Sequence, residues 1–216
     1  MSPDQLEADL TAALANRQLL THPFYRRWDA GTLQLGELGA YAGQYRHFEA
    51  ALPWILRALL TQLEPGRAAD LVQGNLADEE SNPEPHVDVF AAFADAAGSS
   101  DAPASPATLG LLAAYRRLIE SSAAEGLAAV IGYEMQAPAI AASKASGLRR
   151  HYGIDEAGTR FWDIHATMDQ DHARWGIEAL AALNAPESRL LDAARTAADA
   201  WWAFLDEREA AAALTV

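Results

Sequence analysis

At 216 residues the chain is long enough to bury a sizeable core without staples, and it contains no cysteine. That excludes disulfides, thiolate metal sites and cysteine nucleophiles. The 16 basic residues stand against 30 acidic ones, a net charge of −14. Such a balance leaves no footprint for a phosphate backbone and repels anionic membranes, so neither nucleic acid nor a membrane is an expected partner.

The opening residues, MSPDQLEADL, are polar and acidic, without the basic start and apolar run of a signal peptide. No apolar run approaches the ~18 residues of a membrane span, and a cytoplasmic location is expected. Apolar residues recur at helical spacing almost throughout, with no stretch of period two, which predicts an all-α chain. The pattern gives a first helix over 4–18, a short helical piece around HPFYRRW (22–28) and a long helix over 32–62. The long helix is apolar at Leu38, Tyr41, Tyr45, Phe48, Ile55 and Leu59, and Pro53 inside it should kink it. A helix over 66–80 ends at SNPEP, where Asn82 can cap the next helix with Pro83 and Pro85 in its first turn, running to Ala97. The segment 98–108 is too short to separate domains, so residues 1–216 read as a single domain. Helices over 108–121, 123–147, 156–183 and 187–213 complete a bundle of seven to eight antiparallel helices.

The most informative segment is FWDIHATMDQDHARWGIEAL. His165, Asp169 and His172 are spaced i, i+4, i+7 and fall within about 60° of one another on a helix. Phe161, Met168, Trp175 and Ala179 share that face, so it should point inward. Three ionisable groups on a buried stripe are costly unless paired or bound to metal, and two imidazoles with a carboxylate suit iron or manganese. The bland alternative is a hydrogen-bonded polar notch. Asp171 points well away from this face. In GLAAVIGYEMQAPAIAASKASGL, Glu134 sits in the middle of an apolar stripe with Leu127, Val130 and Ile131, and Pro138 should bend the helix beside it. A third set, NLADEESNPEPHVDVF, offers acids and His86 around a helix break. Glu79, Glu80 and Glu84 are all available there, and acidic helix ends are usually just solvated. Lys144 is the only lysine in the chain. From composition alone it reads as a surface lysine, and Tyr25, Tyr41, Tyr45 and Tyr133 read as core aromatics.

The order HPFY, DEE…H, a helix with YE, and a late HxxxDxxH resembles the haem-oxygenase-like dimetal oxidases, a branch of the fold shared with TenA and PqqC, over about residues 20–180. The resemblance implies an oxidoreductase with a TenA/PqqC-like bundle and two metal ions, Fe/Fe or Fe/Mn, held by Glu79, His86, Glu134, His165, Asp169 and His172. It also implies dioxygen and an external reductant as co-reactants, and is compatible with a homodimer. The seven-residue interval from Glu79 to His86 is most similar to the CADD-like, self-sacrificing 4-aminobenzoate synthases; Glu80 or Glu84 would alter the assignment without removing the site. In such proteins a tyrosine supplies the aromatic ring and a lysine the nitrogen of a folate precursor. The matching positions are Tyr25 and Lys144, with Tyr41 where a second family tyrosine lies near the metals. A multiple-turnover oxidase acting on an external small molecule, such as an N-oxygenase or a fatty-acid or amino-acid fragmenting enzyme, would keep the six ligands and dispense with Tyr25 and Lys144. A protein-interaction module would need none of them.

Overall fold

Helical periodicity carries through to ten α-helices, with no strand among the described residues, which are 1–81 and 83–213 of a computed structural model. They are α1 (Pro3–Ala13), α2 (Pro23–Asp29), α3 (Leu35–Leu60), α4 (Arg67–Ser81), α5 (His86–Ala96), α6 (Pro106–Ser121), α7 (Ala123–Glu134), α8 (Ala137–Tyr152), α9 (Glu156–Ala182) and α10 (Glu187–Ala213). The helix count exceeds the seven to eight expected because the short piece at 22–28 is a helix in its own right and the stretch over 123–147 is divided in two. The first helix stops at Ala13, and two 3₁₀ turns, Ala15–Arg17 and Leu19–Thr21, lead to His22. The His22 ring then caps α2, its Nδ1 accepting from Phe24 N at 3.1 Å. The cap expected at Asn82 lies outside the described residues; Pro85 is the N-cap position of α5, which begins at His86.

The expected helix over 123–147 is two helices. Pro138 has no N–H for the Glu134 carbonyl, so α7 closes with Met135 N donating to Ile131 O and Gln136 N to Tyr133 O. Pro138 then serves in the first turn of α8, where a missing donor costs nothing. The Gln136 side chain fixes the joint, donating to Gly132 O at 3.2 Å and accepting from Leu19 N at 2.8 Å. Pro53, by contrast, lies within α3, which continues past it to Leu60.

Helix α9 packs against α4, α5, α7 and α8, α3 crosses α4, α5 and α6, and α10 covers α6 and α7. The inward faces of α3, α4, α5, α7 and α9 therefore meet in one region. Much of the core between them is aromatic, including Tyr41, Tyr45, Phe48, Phe90, Phe161, Trp162 and Trp201. No helix among the described residues is long and apolar enough to cross a membrane.

The approach of α9 to α7 depends on Gly176. A Cβ there would meet Ile131 Cγ1 at 2.6 Å, with Glu134 Oε2 at 3.8 Å. Ile131 is fully buried and has nowhere to retreat. Gly176→Ala is expected to lose about 1–3 kcal/mol through overpacking, more than the ~1 kcal/mol of helix propensity it gains. Gly110→Ala, on an open stretch of α6 with nothing within 4 Å, should only gain. Chemical denaturation of both variants checks the contrast.

Candidate metal centre

A period-3.6 face on α9 turns His165, Asp169 and His172 inward, and all three are buried, while Asp171 is exposed and paired with Arg174 at 2.7 Å. Helix α4 contributes Glu79, and the first residue of α5 contributes His86, 4 % and 1 % exposed. The break between α4 and α5 brings these two together, with His86 Nδ1 2.9 Å from Glu79 Oε2. The alternatives are tied elsewhere: Glu80 pairs with Arg57 and Glu84 with Arg160. Glu134, the last residue of α7, is buried beside α9. The structure thus brings all six expected residues into one interior region.

Within it the six fall into two groups. Ligand-capable atoms of Glu79, His86 and His165 lie within 4.8 Å of one another, joined by Glu49 of α3. On the other side His172 Nδ1 lies 3.6 Å from Asp169 Oδ1, and Glu134 interacts electrostatically with both residues. A cavity of about 20 Å³ is lined by Glu49, Glu79, Glu134, His165 and Asp169 together with Tyr45 and Tyr133.

Residues that the sequence reading did not single out orient these groups. Asn75, Asp78 and Glu79 share a face of α4. Asn75 Nδ2 donates to Glu134 Oε1 at 2.8 Å, and Asp78 Oδ2 lies 3.1 Å from His172 Nε2. His165 Nδ1 donates to Phe161 O at 2.8 Å, which leaves its Nε2 to face the cluster as an acceptor. Glu49 carries no local motif: it is a single acid in the apolar stretch YRHFEAALP. Its one visible sign is helical spacing, eight residues after Tyr41 and four after Tyr45.

The charges are strongly coupled. Burial alone would raise the Glu79 carboxyl, but the hydrogen bond from His86 and the nearby His165 and His172 hold it below the usual carboxylate range. Burial pushes Glu134 up to about 7, opposed by His172 and the Asn75 bond. Burial would lower His172, yet Asp169, Glu134 and Glu79 outweigh it and raise the imidazole to about 10. Glu49 is pushed well up by burial and by Glu79 and Asp169. Two buried ligand-type atoms here, Glu49 Oε1 and His172 Nδ1, have no hydrogen-bond partner. Carboxylates and imidazoles gathered in two adjoining groups, each with one buried ligand-type atom left without a partner, fit divalent iron or manganese, whose positive charge offsets what is otherwise a costly burial.

A second cluster adjoins the first. Lys144 of α8 is 1 % exposed, contrary to the surface lysine that composition suggests, and lies on the buried face of α8 with Ile140, Ala141, Ala145 and Leu148. Its Nζ donates to Tyr41 Oη at 2.6 Å and lies over the rings of Trp162 (3.9 Å), Tyr25 (4.8 Å), Tyr41 and Tyr45 (both 4.9 Å). Tyr41 Oη also bonds Tyr25 Oη at 2.9 Å. Tyr45 stacks on Tyr41 at 5.6 Å and bonds Tyr133 Oη at 2.9 Å, so it lies between this cluster and the small cavity. Tyr25, Tyr41 and Lys144 are brought together, but the tyrosines lining the cavity itself are Tyr45, Tyr115 and Tyr133.

An all-helical bundle around a buried acid and imidazole centre defines a class, and the comparisons agree. A CADD-like protein from Nostoc punctiforme superposes with a TM-score of 0.82 over 97 % of this chain and 98 % of that one, at 17 % identity, which establishes the haem-oxygenase-like fold. Residues 39–203 match the family of iron-containing redox enzymes with this fold, and the chain belongs to it as an oxidoreductase. It is 35 % identical to a 4-aminobenzoate synthase of Nitrosomonas europaea, covering 95 % of this chain and 92 % of that protein. A 4-aminobenzoate synthase of Chlamydia pneumoniae is 30 % identical, over 91 % of each chain.

Burial drives the Lys144 amine well below its ordinary range, with Glu49 opposing weakly. The folded chain then binds fewer protons than the unfolded one between that depressed value and the ordinary 10.5. Metal-free stability attributable to Lys144 should therefore rise with pH across this window. Lys144→Met, which removes the cost, is expected to stabilise the fold at neutral pH by about 1–3 kcal/mol, with the advantage shrinking toward pH 10. Urea unfolding of both proteins from pH 7 to 10 measures the difference.

Proposed function

We propose that this chain is a dioxygen-activating two-metal oxygenase that makes 4-aminobenzoate from its own Tyr25 side chain, with nitrogen from Lys144. The observation that carries the reading is the setting of Lys144. The only lysine of the chain is buried against ring faces and a tyrosine hydroxyl, 4.8 Å from the Tyr25 ring. A packing role is better served by an apolar side chain, since a buried ammonium is expensive. A neutral amine beside a tyrosine ring is what amino transfer to that ring requires. Relatives named 4-aminobenzoate synthase support the product, which would enter folate synthesis.

In this reading Glu79, His86 and His165 would hold one ion and Glu134, Asp169 and His172 the other, as Fe/Fe or Fe/Mn. Together with an external reductant, the ions would supply the chemistry of dioxygen reduction. The protein's own contribution is placement. Asn75, Asp78 and the Phe161 carbonyl orient Glu134, His172 and His165. Tyr41 binds both reacting residues, meeting Tyr25 through one hydrogen bond and accepting from Lys144 in another. The surrounding aromatic rings exclude water from both. The cavity at the centre, about 20 Å³, has room for a molecule the size of water or dioxygen, whereas organic ligands occupy pockets of roughly 300–1,000 Å³. This favours a substrate already inside the chain over an external one. Because Tyr25 and Lys144 are consumed, each polypeptide acts once.

Metal-loaded protein exposed to dioxygen and reductant should yield no more than one 4-aminobenzoate per chain. Peptide mass spectrometry should then find the side chain of Tyr25 lost and Lys144 altered. Tyr25→Phe and Lys144→Arg should abolish product while retaining metal, and His165→Ala should lose both. Product in excess of the chain concentration, or undiminished in Lys144→Arg, would establish an external substrate instead.

A further inference from the structure

Glu49 is not among the six residues that the sequence pattern marks. It is 3 % exposed, its Oε1 has no hydrogen-bond partner, and a ligand-capable atom of it lies within 4.8 Å of those of Glu79, His86 and His165. A carboxylate placed so close to another inside the protein, with one buried oxygen left without a donor, is unfavourable without a cation between them. Glu49 also has a second position in the architecture. Besides lining the small inner cavity, it forms the floor of a surface groove of about 420 Å³ between α3 and α5. The groove lining includes the small side chains of Ala50, Ala91 and Ala94 and the acids Asp95 and Asp101. Arg46 in the same lining pairs with Asp101, so Asp95 and the chain's overall negative charge leave the mouth attractive to cations.

We propose that Glu49 is a seventh metal ligand, standing as the door between the centre and the α3–α5 groove, and that metal ions enter the protein by this groove and are first held by Glu49. The inference rests on the two-metal reading given above and adds to it a route and a residue. Among the residues lining the inner cavity, Glu49 is the one that also lines the groove. An ion arriving at the groove floor meets its carboxylate before those of Glu79, His86 and His165. With Glu49 engaged, the three become four donors around that ion, a more complete shell than the one opposite.

Cobalt(II) titration of the metal-free protein tests this without turnover, because the visible absorption of cobalt reports both occupancy and coordination number. Wild-type protein should take up two ions per chain. In Glu49→Gln one of the two should bind at least ~10-fold more weakly with an altered spectrum, while the other is unchanged. The metal-free Glu49→Gln protein should unfold no more easily than wild type, since a merely structural role for the carboxylate would lower that stability. Ala91→Trp, an exposed substitution in the groove lining, should slow cobalt uptake in stopped-flow measurements without changing final stoichiometry. Equal affinity and spectrum in Glu49→Gln would overturn Glu49 as a ligand and leave the six-residue centre standing. Unchanged uptake in Ala91→Trp would overturn the route. Wild-type protein that binds no cobalt would overturn the two-metal reading and this inference together.

Discussion

The structure is organised around a concentration of buried charge. Glu49, Glu79, Glu134, Asp169, His86, His165 and His172 are all withdrawn from water within the space enclosed by α3, α4, α5, α7 and α9. Without a counter-charge the acids would have to take up protons, and the coupled shifts of Glu49, Glu134 and His172 show how far the site is pushed in that direction. Two divalent ions would resolve the conflict that the polypeptide leaves. The surrounding elements are fitted to that requirement: α4 supplies Asn75 and Asp78 to hold two of the groups in place, and Gly176 lets α7 come close enough to α9 for Glu134 to take part.

Around this centre the core is aromatic rather than aliphatic, and its arrangement separates two tasks. Tyr45 and Tyr133 border the inner cavity, whereas Tyr25 and Tyr41 stand one ring further away, around Lys144. The stacked pair Tyr41 and Tyr45 occupies the interval, and Tyr41 is the residue that both Tyr25 and Lys144 touch. The lysine's position over several rings gives it neighbours that tolerate either protonation state, although burial favours the neutral one.

Helical class and the α9 triplet were legible in the sequence because both rest on periodicity, which local spacing preserves. Glu79 was harder: three acids compete in that stretch, and what decides among them is the partner of each, Arg57 for Glu80 and Arg160 for Glu84, both distant in sequence. Glu49 and Asp78 were missed for a related reason. Each is one acid among ordinary helical residues, and only the approach of another helix gives it a task. Composition misplaced Lys144, although its spacing from Ile140, Ala141, Ala145 and Leu148 puts it on the buried face of α8. The split of the 123–147 helix was foreshadowed by Pro138 as a bend. Its completion needed Gln136 and the incoming Leu19 amide, a contact 117 residues apart that no local window contains.

That split has a wider consequence. Were 123–147 one continuous rod, the azimuth of Lys144 would be dictated by that of Glu134, and neither could be adjusted without turning the other. The pivot at Met135 and Gln136 gives the two halves independent headings, so that α7 can keep its acid on the centre while α8 is free to present a different side chain to the same aromatic chamber. A substitution that alters what α8 presents therefore need not disturb the acid that α7 holds.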